Sequence, residues 1–294
     1  MSSAQSLLAS ADKKANSGSG FFGFGSSSSK YEEAHDLYRG AGNAFKLEGR
    51  MKEAGDAFCK AADMAIKAGE KDDAGQRFHD ASKAYKLSHP ERAIMALRKT
   101  IDILLEKGRF RQAADRMKEI AQIYQADGEN EQSMRHAMES FIQAGEWQKL
   151  DDYNIAATTM FKEAADLAAL LGDYDLAIKH YEDVANHSLN SPLTKYSVRE
   201  YFFKATLCYL CQDIVGARRA LDDYRMKDAS FEQQREYKFL VQLVQVVEDR
   251  DEEAFANLVR DYDQYSGRLD NWKVTLLTRI KHTLEAPAES GGLS

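Results

Sequence analysis

Small and apolar residues return to the same place in a helical hairpin about every forty residues along this chain. The register runs through Ala54, Ala93, Ser133, Ala177 and Ala217, at intervals of 39, 40, 44 and 40 residues, each position early in a predicted helix that follows a turn. Between these marks the apolar positions keep helical spacing. Over residues 91–107 they are Ile94, Leu97, Ile101, Leu104 and Leu105, followed by Ala113, Met117, Ile120, Ala121 and Tyr124. Alanines adjoin large aromatics, as in Ala41, Ala44 and Phe45 or Ala81, Ala84 and Tyr85. Small residues let helices approach closely while the ring fills the space beyond. Turn signals at Gly49, Gly69, His89 with Pro90, Gly108, Gly128, Gly145 and Gly172 divide the pattern into helices of about four to five turns. Ser191 before Pro192 predicts a helix start, with serine as cap and proline at the first helical position.

Periods of this size belong to stacked helix pairs, in which no unit buries its apolar face without a neighbour. The predicted fold is all-α, a tetratricopeptide-like twisted sheet of antiparallel helical hairpins over residues 1–230. Residues 231–285 are denser in large apolar side chains, among them Phe239, Leu240, Leu243, Val244, Phe255, Trp272, Leu276 and Ile280. They predict a C-terminal helical bundle that closes the stack, followed by a flexible tail over 286–294 with Pro287, Gly291 and Gly292. At the other end a short amphipathic helix over 4–16 carries Leu7, Leu8, Ala11 and Ala15 on one side. A loop over 17–29 follows, rich in glycine and serine and carrying Phe21, Phe22 and Phe24.

Composition narrows the function. With 294 residues, 44% hydrophobic content and three prolines, the chain reads as globular and helical. A net charge of −7 supplies no broad basic footprint for nonspecific nucleic-acid binding. Three cysteines cannot build a disulfide framework, no apolar run reaches the roughly 18 to 20 residues of a membrane span, and the start lacks a secretory signal. These features together predict a cytoplasmic location.

Catalytic chemistry finds no foothold. Gly18, Gly20 and Gly23 fit GxGxxG literally, yet no strand precedes them. Cys208 and Cys211 lie in a helical apolar run with no second pair for zinc, so they read as core packing. The histidines are scattered. No enzyme, metal or cofactor is predicted.

Three groups of residues are candidates for binding. The loop aromatics Phe21, Phe22 and Phe24 either fold back onto the first helices or enter a membrane interface or a partner's groove. Burial of one phenylalanine is worth roughly 1.5 to 3 kcal/mol, so membrane contact through three partly buried rings needs a second tether or several copies. Basic residues recur on several helices, including Lys99, Arg109, Lys162, Lys195, Arg199 and Lys204, with Lys195 and Arg199 at helical four-residue spacing. Acidic residues Glu248, Asp249, Asp251, Glu252 and Glu253 cluster at a helix junction.

Particular runs go further than the period. Residues 191–208 read SPLTKYSVREYFFKATLC; FFGFG starts at Phe21, GRFRQAADRMKEIAQIY at Gly108 and RLDNW at Arg268, and LLTRIKHTL ends at Leu284. Together they resemble the soluble NSF attachment proteins of the alpha-SNAP type, over essentially the whole chain. The resemblance implies a non-enzymatic adaptor. Several copies would surround an assembled SNARE four-helix bundle and recruit and stimulate the hexameric ATPase NSF, at the cytosolic face of membranes. It implies SNARE contact by Arg109, Lys162, Lys195, Arg199 and Lys204, with Asp115 standing where the family has a lysine. It implies NSF contact by Asp213, Glu248, Asp249 and Leu293, and membrane contact by Phe21, Phe22 and Phe24. The alternative is a general helical-repeat scaffold that binds peptide segments of other trafficking or chaperone proteins.

Overall fold

The computed structural model describes residues 2–17, 27–128, 130–150, 155–266 and 269–285, and every regular element among them is helical. By contacts the chain forms two compact units, Met1–Gly128 with Glu146–Asp152, and Glu129–Gly145 with Tyr153–Ser294.

The first unit holds α1 (Ser3–Asn16), α2 (Ser27–Leu47), α3 (Met51–Ala68), α4 (Lys71–Tyr85), α5 (Pro90–Glu106) and α6 (Phe110–Gln125), each packed on the next in the chain. A capping box starts α1, where Ser2 accepts from the Gln5 amide and the Gln5 side chain accepts from the Ser2 amide. The turns that follow reuse one device. Gly49, Gly69 and Gly108 sit at φ 74°, 88° and 67°. In each case the next amide reaches back to the helix, Arg50 to the Phe45 carbonyl (2.9 Å), Glu70 to Ala65 (2.8 Å) and Arg109 to Leu104 (2.9 Å). This Schellman geometry satisfies carbonyls that the helix end leaves open and reverses the chain within a few residues. Antiparallel hairpins result. Pro90 opens α5 at its first position, as the sequence predicts.

The forty-residue register is a packing register. Ala54, Ala93, Ala177 and Ala217 are fully buried, and each is the fourth residue of its helix, whereas Ser133 departs from the register as the third residue of α7 and is only half-buried. Beside them, rings lie directly over glycines. A Cβ at Gly42 of α2 would meet the Phe58 ring of α3 at 2.6 Å, and one at Gly55 of α3 would meet the Tyr85 ring of α4 at 2.5 Å. Only a bare backbone admits rings that close.

The second unit contains most of α7 (Glu131–Lys149), whose last residues from Glu146 belong to the first. It continues with α8 (Ile155–Leu171), α9 (Tyr174–Leu189), α10 (Val198–Gln212) and α11 (Ile214–Lys227). Then come α12 (Arg235–Glu248), α13 (Glu252–Ser266) and α14 (Asn271–Glu285), with short 3-10 turns at Lys195–Ser197 and Phe231–Gln233. Helices α8, α9, α10 and α11 stack in chain order, whereas α12 packs on α10, α11 and α13, and α14 returns to α8, α10 and α13. Aromatic stacking fills this junction, with Phe202 on Tyr224 at 4.1 Å and Phe203 beside the Phe239 and Tyr262 pair at 5.8 Å from each. Arg279 of α14 donates to the Ala169 carbonyl (2.8 Å) and also to that of Leu170, satisfying two acceptors in the last turn of α8.

Three local expectations are corrected. Residues 27–29, expected in the loop over 17–29, instead open α2, where the Ser28 hydroxyl lies near Glu32 one turn on (2.8 Å) and the Ala68 carbonyl at the end of α3 (3.3 Å). Gly145 is not a turn: it lies inside α7, where the Phe161 ring of α8 stands 2.8 Å from its missing Cβ. The glycine there answers a packing demand and not a conformational one. Likewise Ser191 and Pro192 do not start a helix. The Ser191 carbonyl closes a turn by accepting from Thr194 (3.1 Å) and Lys195 (2.9 Å), and α10 begins at Val198, which is fully buried. Burial of Val198 sets the helix start over the local cap signal.

Gly55→Ala is expected to lower the denaturation midpoint of the first unit by the equivalent of about 1–3 kcal/mol, because Tyr85 must move. Gly40→Ala, whose Cβ would meet only Leu7 Cδ1 at 3.9 Å, is expected to stabilise by up to about 1 kcal/mol through helix propensity. Urea titrations followed by circular dichroism would separate the two.

Candidate protein-binding site

Charge in the second unit is organised by Asp166 of α8. Its carboxylate takes the Lys162 ammonium one turn earlier (2.7 Å), the Lys204 ammonium of α10 (2.6 Å) and the Tyr181 hydroxyl of α9. The indole of Trp272 in α14 donates to the Asp166 carbonyl at 3.0 Å, and the Lys204 ammonium lies 4.6 Å from the Trp272 ring. Two cations thus share one partly buried acceptor. Their exposure differs: Lys204 is 5% exposed, whereas the Lys162 side chain retains 31% and also meets Glu163 at 3.2 Å. Burial works to lower the Lys162 pKa, but the Asp166 and Glu163 carboxylates outweigh it and raise it, so the ammonium stays charged. Lys204 is therefore a packed part of the interior, and Lys162 is the member of the cluster that reaches solvent.

Lys195 and Arg199 stand on the surface at the start of α10. Arg199 is held lightly, by Gln234 at 3.2 Å and Glu236 at 3.6 Å. Between and beside these cations the structure exposes two side chains that the sequence reading passed over, Leu193 (72%) and Tyr196 (73%). They were legible as a leucine and a tyrosine lying outside helical period just after Pro192. Tyr201, one turn further, packs with Ala157, Phe161 and Val184 and so seats the start of α10 against α8 and α9.

Arg109, in the first unit, precedes α6 and pairs with Asp72 at 3.0 Å. The hydrogen bond from Lys107 (2.6 Å), followed by the charge of Arg109, holds the Asp72 carboxyl below its ordinary range. Asp115 is exposed and accepts from Gln148 at 3.5 Å.

The acidic candidates of the second unit also serve helix ends. Asp213 caps α11, accepting from the amides of Val215 (3.0 Å) and Gly216 (2.8 Å). Glu248 ends α12 and pairs with Arg218 of α11, which brings the start of α11 near the end of α12. Asp249 accepts from Gln245 at 2.9 Å, and Asp251 caps α13 through the Ala254 amide at 2.9 Å. Arg250 between them adopts φ 54°, and its guanidinium reaches the Thr283 carbonyl at 3.5 Å. The end of α14 therefore lies beside the acidic turn. Phe21, Phe22, Phe24 and Leu293 lie outside the described residues.

The cysteines behave as core. Burial pushes Cys208 well above the ordinary thiol range and Cys211 up to about 11, the latter against the opposing Tyr174 hydrogen bond and Arg279 charge. Cys59 is raised by the same cause.

A stack of helical hairpins whose polar faces carry cations in one place and carboxylates in another defines a scaffold for macromolecular contact. The chain belongs to the soluble NSF attachment protein (SNAP) family, whose model matches residues 2–285. The vesicular-fusion protein SEC17 of Coprinopsis cinerea is 47% identical over 285 residues, 97% of this chain and 96% of that one. The SEC17 of Komagataella phaffii is 39% identical over 289 residues, and the alpha-soluble NSF attachment protein of Homo sapiens 37% over 287 residues. Each of these two alignments spans 97% of this chain and 96% of the relative.

Lys204→Ala removes the buried cation and leaves Asp166 with Lys162 and Tyr181, so it is expected to destabilise by about 1–3 kcal/mol. Lys162→Ala removes a more exposed pair, with an expected cost of about 0–1 kcal/mol. Thermal unfolding of the two variants would show the difference. Because a raised pKa leaves less thiolate at a given pH, iodoacetamide at pH 8 is expected to alkylate Cys208 and Cys211 far more slowly in the native protein than in urea, as read by mass spectrometry.

Proposed function

We propose that this chain is an adaptor that binds assembled SNARE four-helix bundles and recruits and stimulates the hexameric ATPase NSF, which then takes the bundle apart in vesicle fusion and intracellular membrane transport. Family membership supports the reading, and one observation carries it to a site: Leu193 and Tyr196 stand out from the surface among Lys195 and Arg199. Apolar side chains framed by cations suit the grooved, acidic surface of a coiled helical bundle. The rings and methyls supply burial worth about 1.5–3 kcal/mol each, while the cations speed encounter and set orientation. Lys162 extends this cationic set within the second unit, Lys204 supports it by holding Asp166 in place, and Arg109 is proposed as a SNARE contact of the first unit in its own right.

The acidic end of the second unit is the proposed NSF contact. Asp213, Glu248 and Asp249 gather at neighbouring helix ends, and Leu293 is proposed to join them in that contact. No helix among the described residues is long and apolar enough to cross a membrane. Phe21, Phe22 and Phe24 are proposed to touch the cytosolic leaflet as a peripheral contact, shared among several copies on one bundle.

The test is disassembly of a purified SNARE complex by NSF and ATP, with and without this protein. Disassembly is expected to require it, to weaken as salt rises, and to lose at least tenfold in bundle affinity with Leu193→Ser and Tyr196→Ser combined. Phe21→Ser with Phe22→Ser is expected to impair liposome-anchored complexes more than soluble ones. Equal disassembly with and without the protein, using a matched SNARE set, would overturn the adaptor reading.

A further inference from the structure

One cleft of the first unit shares only Arg109 with the residues proposed for SNARE contact. It lies among α4, α5 and α6, has a volume of about 460 Å³, and falls within the roughly 300–1,000 Å³ range of small-molecule sites. Its polar wall carries His79, Lys83, Arg109 and Arg116, with Gln76 and Gln112 as amide donors, and its apolar floor is Ile103 and Leu104.

The charges in this cleft do not balance. Asp72 is the one carboxylate among the lining residues, and it is already shared by Lys107 and Arg109. Glu119, just outside, takes Arg116 at 2.7 Å and His79 at 3.2 Å. Burial works to raise the Glu119 pKa, but the His79 hydrogen bond and the Arg116 charge outweigh it and lower it, so Glu119 is ionised at neutral pH. Of the charged residues that line the cleft, the three cations Lys83, Arg109 and Arg116 outnumber the carboxylate Asp72 by two, and the flanking Lys107 and Glu119 offset one another. Lys83 is exposed at the cleft and makes no ion pair among the described residues.

We propose that this cleft binds a small phosphorylated ligand, with a phosphate monoester held by Lys83, Arg116 and Arg109 and the body of the molecule resting on Ile103 and Leu104. A phosphate monoester carries close to two negative charges at neutral pH, which matches the surplus. Guanidinium groups offer it paired N–H donors, and the lysine adds a mobile point charge. Gln76 and Gln112 add donors for the remaining oxygens or for hydroxyls of the ligand. The same chemistry is found on a free polyol phosphate and on a phosphoinositide headgroup, and both would enter as the phosphorylated ring.

The test uses the full chain and four probes: inorganic phosphate, soluble myo-inositol 1,4,5-trisphosphate, phosphatidylcholine vesicles that carry the same headgroup, and a phosphoserine peptide. Calorimetry is expected to show saturable binding of the soluble trisphosphate, weaker binding of inorganic phosphate, and loss of affinity with added salt. Lys83→Ala is expected to weaken trisphosphate binding at least tenfold, Lys83→Glu to abolish it, and Lys83→Arg to retain it. Lys83 is exposed, so these variants leave the core intact. Vesicle binding that is also lost in Lys83→Glu would point to the lipid source, and soluble binding alone to the free one; both support the cleft. No saturable binding of the soluble probe, unchanged affinity in Lys83→Glu, or binding only of a phosphoserine peptide would overturn it. Because Lys83 lies outside the residues proposed for SNARE contact, failure here leaves the adaptor reading standing.

Discussion

The structure depends on close approach between neighbouring helices, and that approach depends on a ring meeting a bare backbone. Phe58 over Gly42, Tyr85 over Gly55 and Phe161 over Gly145 repeat the same contact between one helix and the next. Helix α3 shows both halves of the contact, since its Phe58 covers Gly42 of α2 while its own Gly55 receives Tyr85 of α4, so it is not complete without its neighbours. The tight turns serve this arrangement. By reversing the chain within a few residues, the Schellman bonds after α2 and α3 deliver Phe58 and Tyr85 to the facing glycines with little loop entropy to overcome.

A second recurring contact decides how much charge is left for partners. Tyr38 donates to Asp12, which also takes Lys60; Tyr85 donates to Asp56, which takes Arg92; Tyr181 donates to Asp166, which takes Lys204 and Lys162. In each case a phenol, a carboxylate and a cation from different helices close around one another, and burial together with the carboxylate raises the phenol's pKa. These clamps fasten the hairpins at their polar edges. They also explain why a tally of basic residues is a poor map of a basic surface: the structure consumes Lys204 internally, holds Lys162 halfway, and leaves Lys195 and Lys83 exposed.

The acidic end shows the same economy of roles. Asp213 and Asp251 complete helix N-termini, where a carboxylate meets open amides and the positive end of the helix dipole. Their position at one end of the unit follows from helix direction, since α11 and α13 begin where α12 ends. A negative surface suited to a basic partner thus arises from local capping chemistry repeated on adjacent helices. Arg250, in a left-handed conformation that glycine fills at the other turns, adds a link to α14 through Thr283 that glycine could not make.

The fold class, the forty-residue hairpin register and the family runs were written into the sequence, because helical spacing and the alanine positions are local properties that burial in the stack rewards. Ala54, Ala93, Ala177 and Ala217 are buried at matching helix positions for that reason. The packed cysteines were legible too, from their place in an apolar helical run. Other features depended on which side chains meet across helices. Gly145 carries the same local signal as the turn glycines, and only the Phe161 ring from α8 turns it into a packing site. Val198 draws α10 to a later start than Ser191 and Pro192 suggest, since burial of an apolar side chain outweighs a cap. The fate of each cation was decided likewise: Lys204, Lys162 and Lys195 look alike as residues, and only the position of Asp166, Tyr181 and Trp272 separates a buried ammonium from an available one.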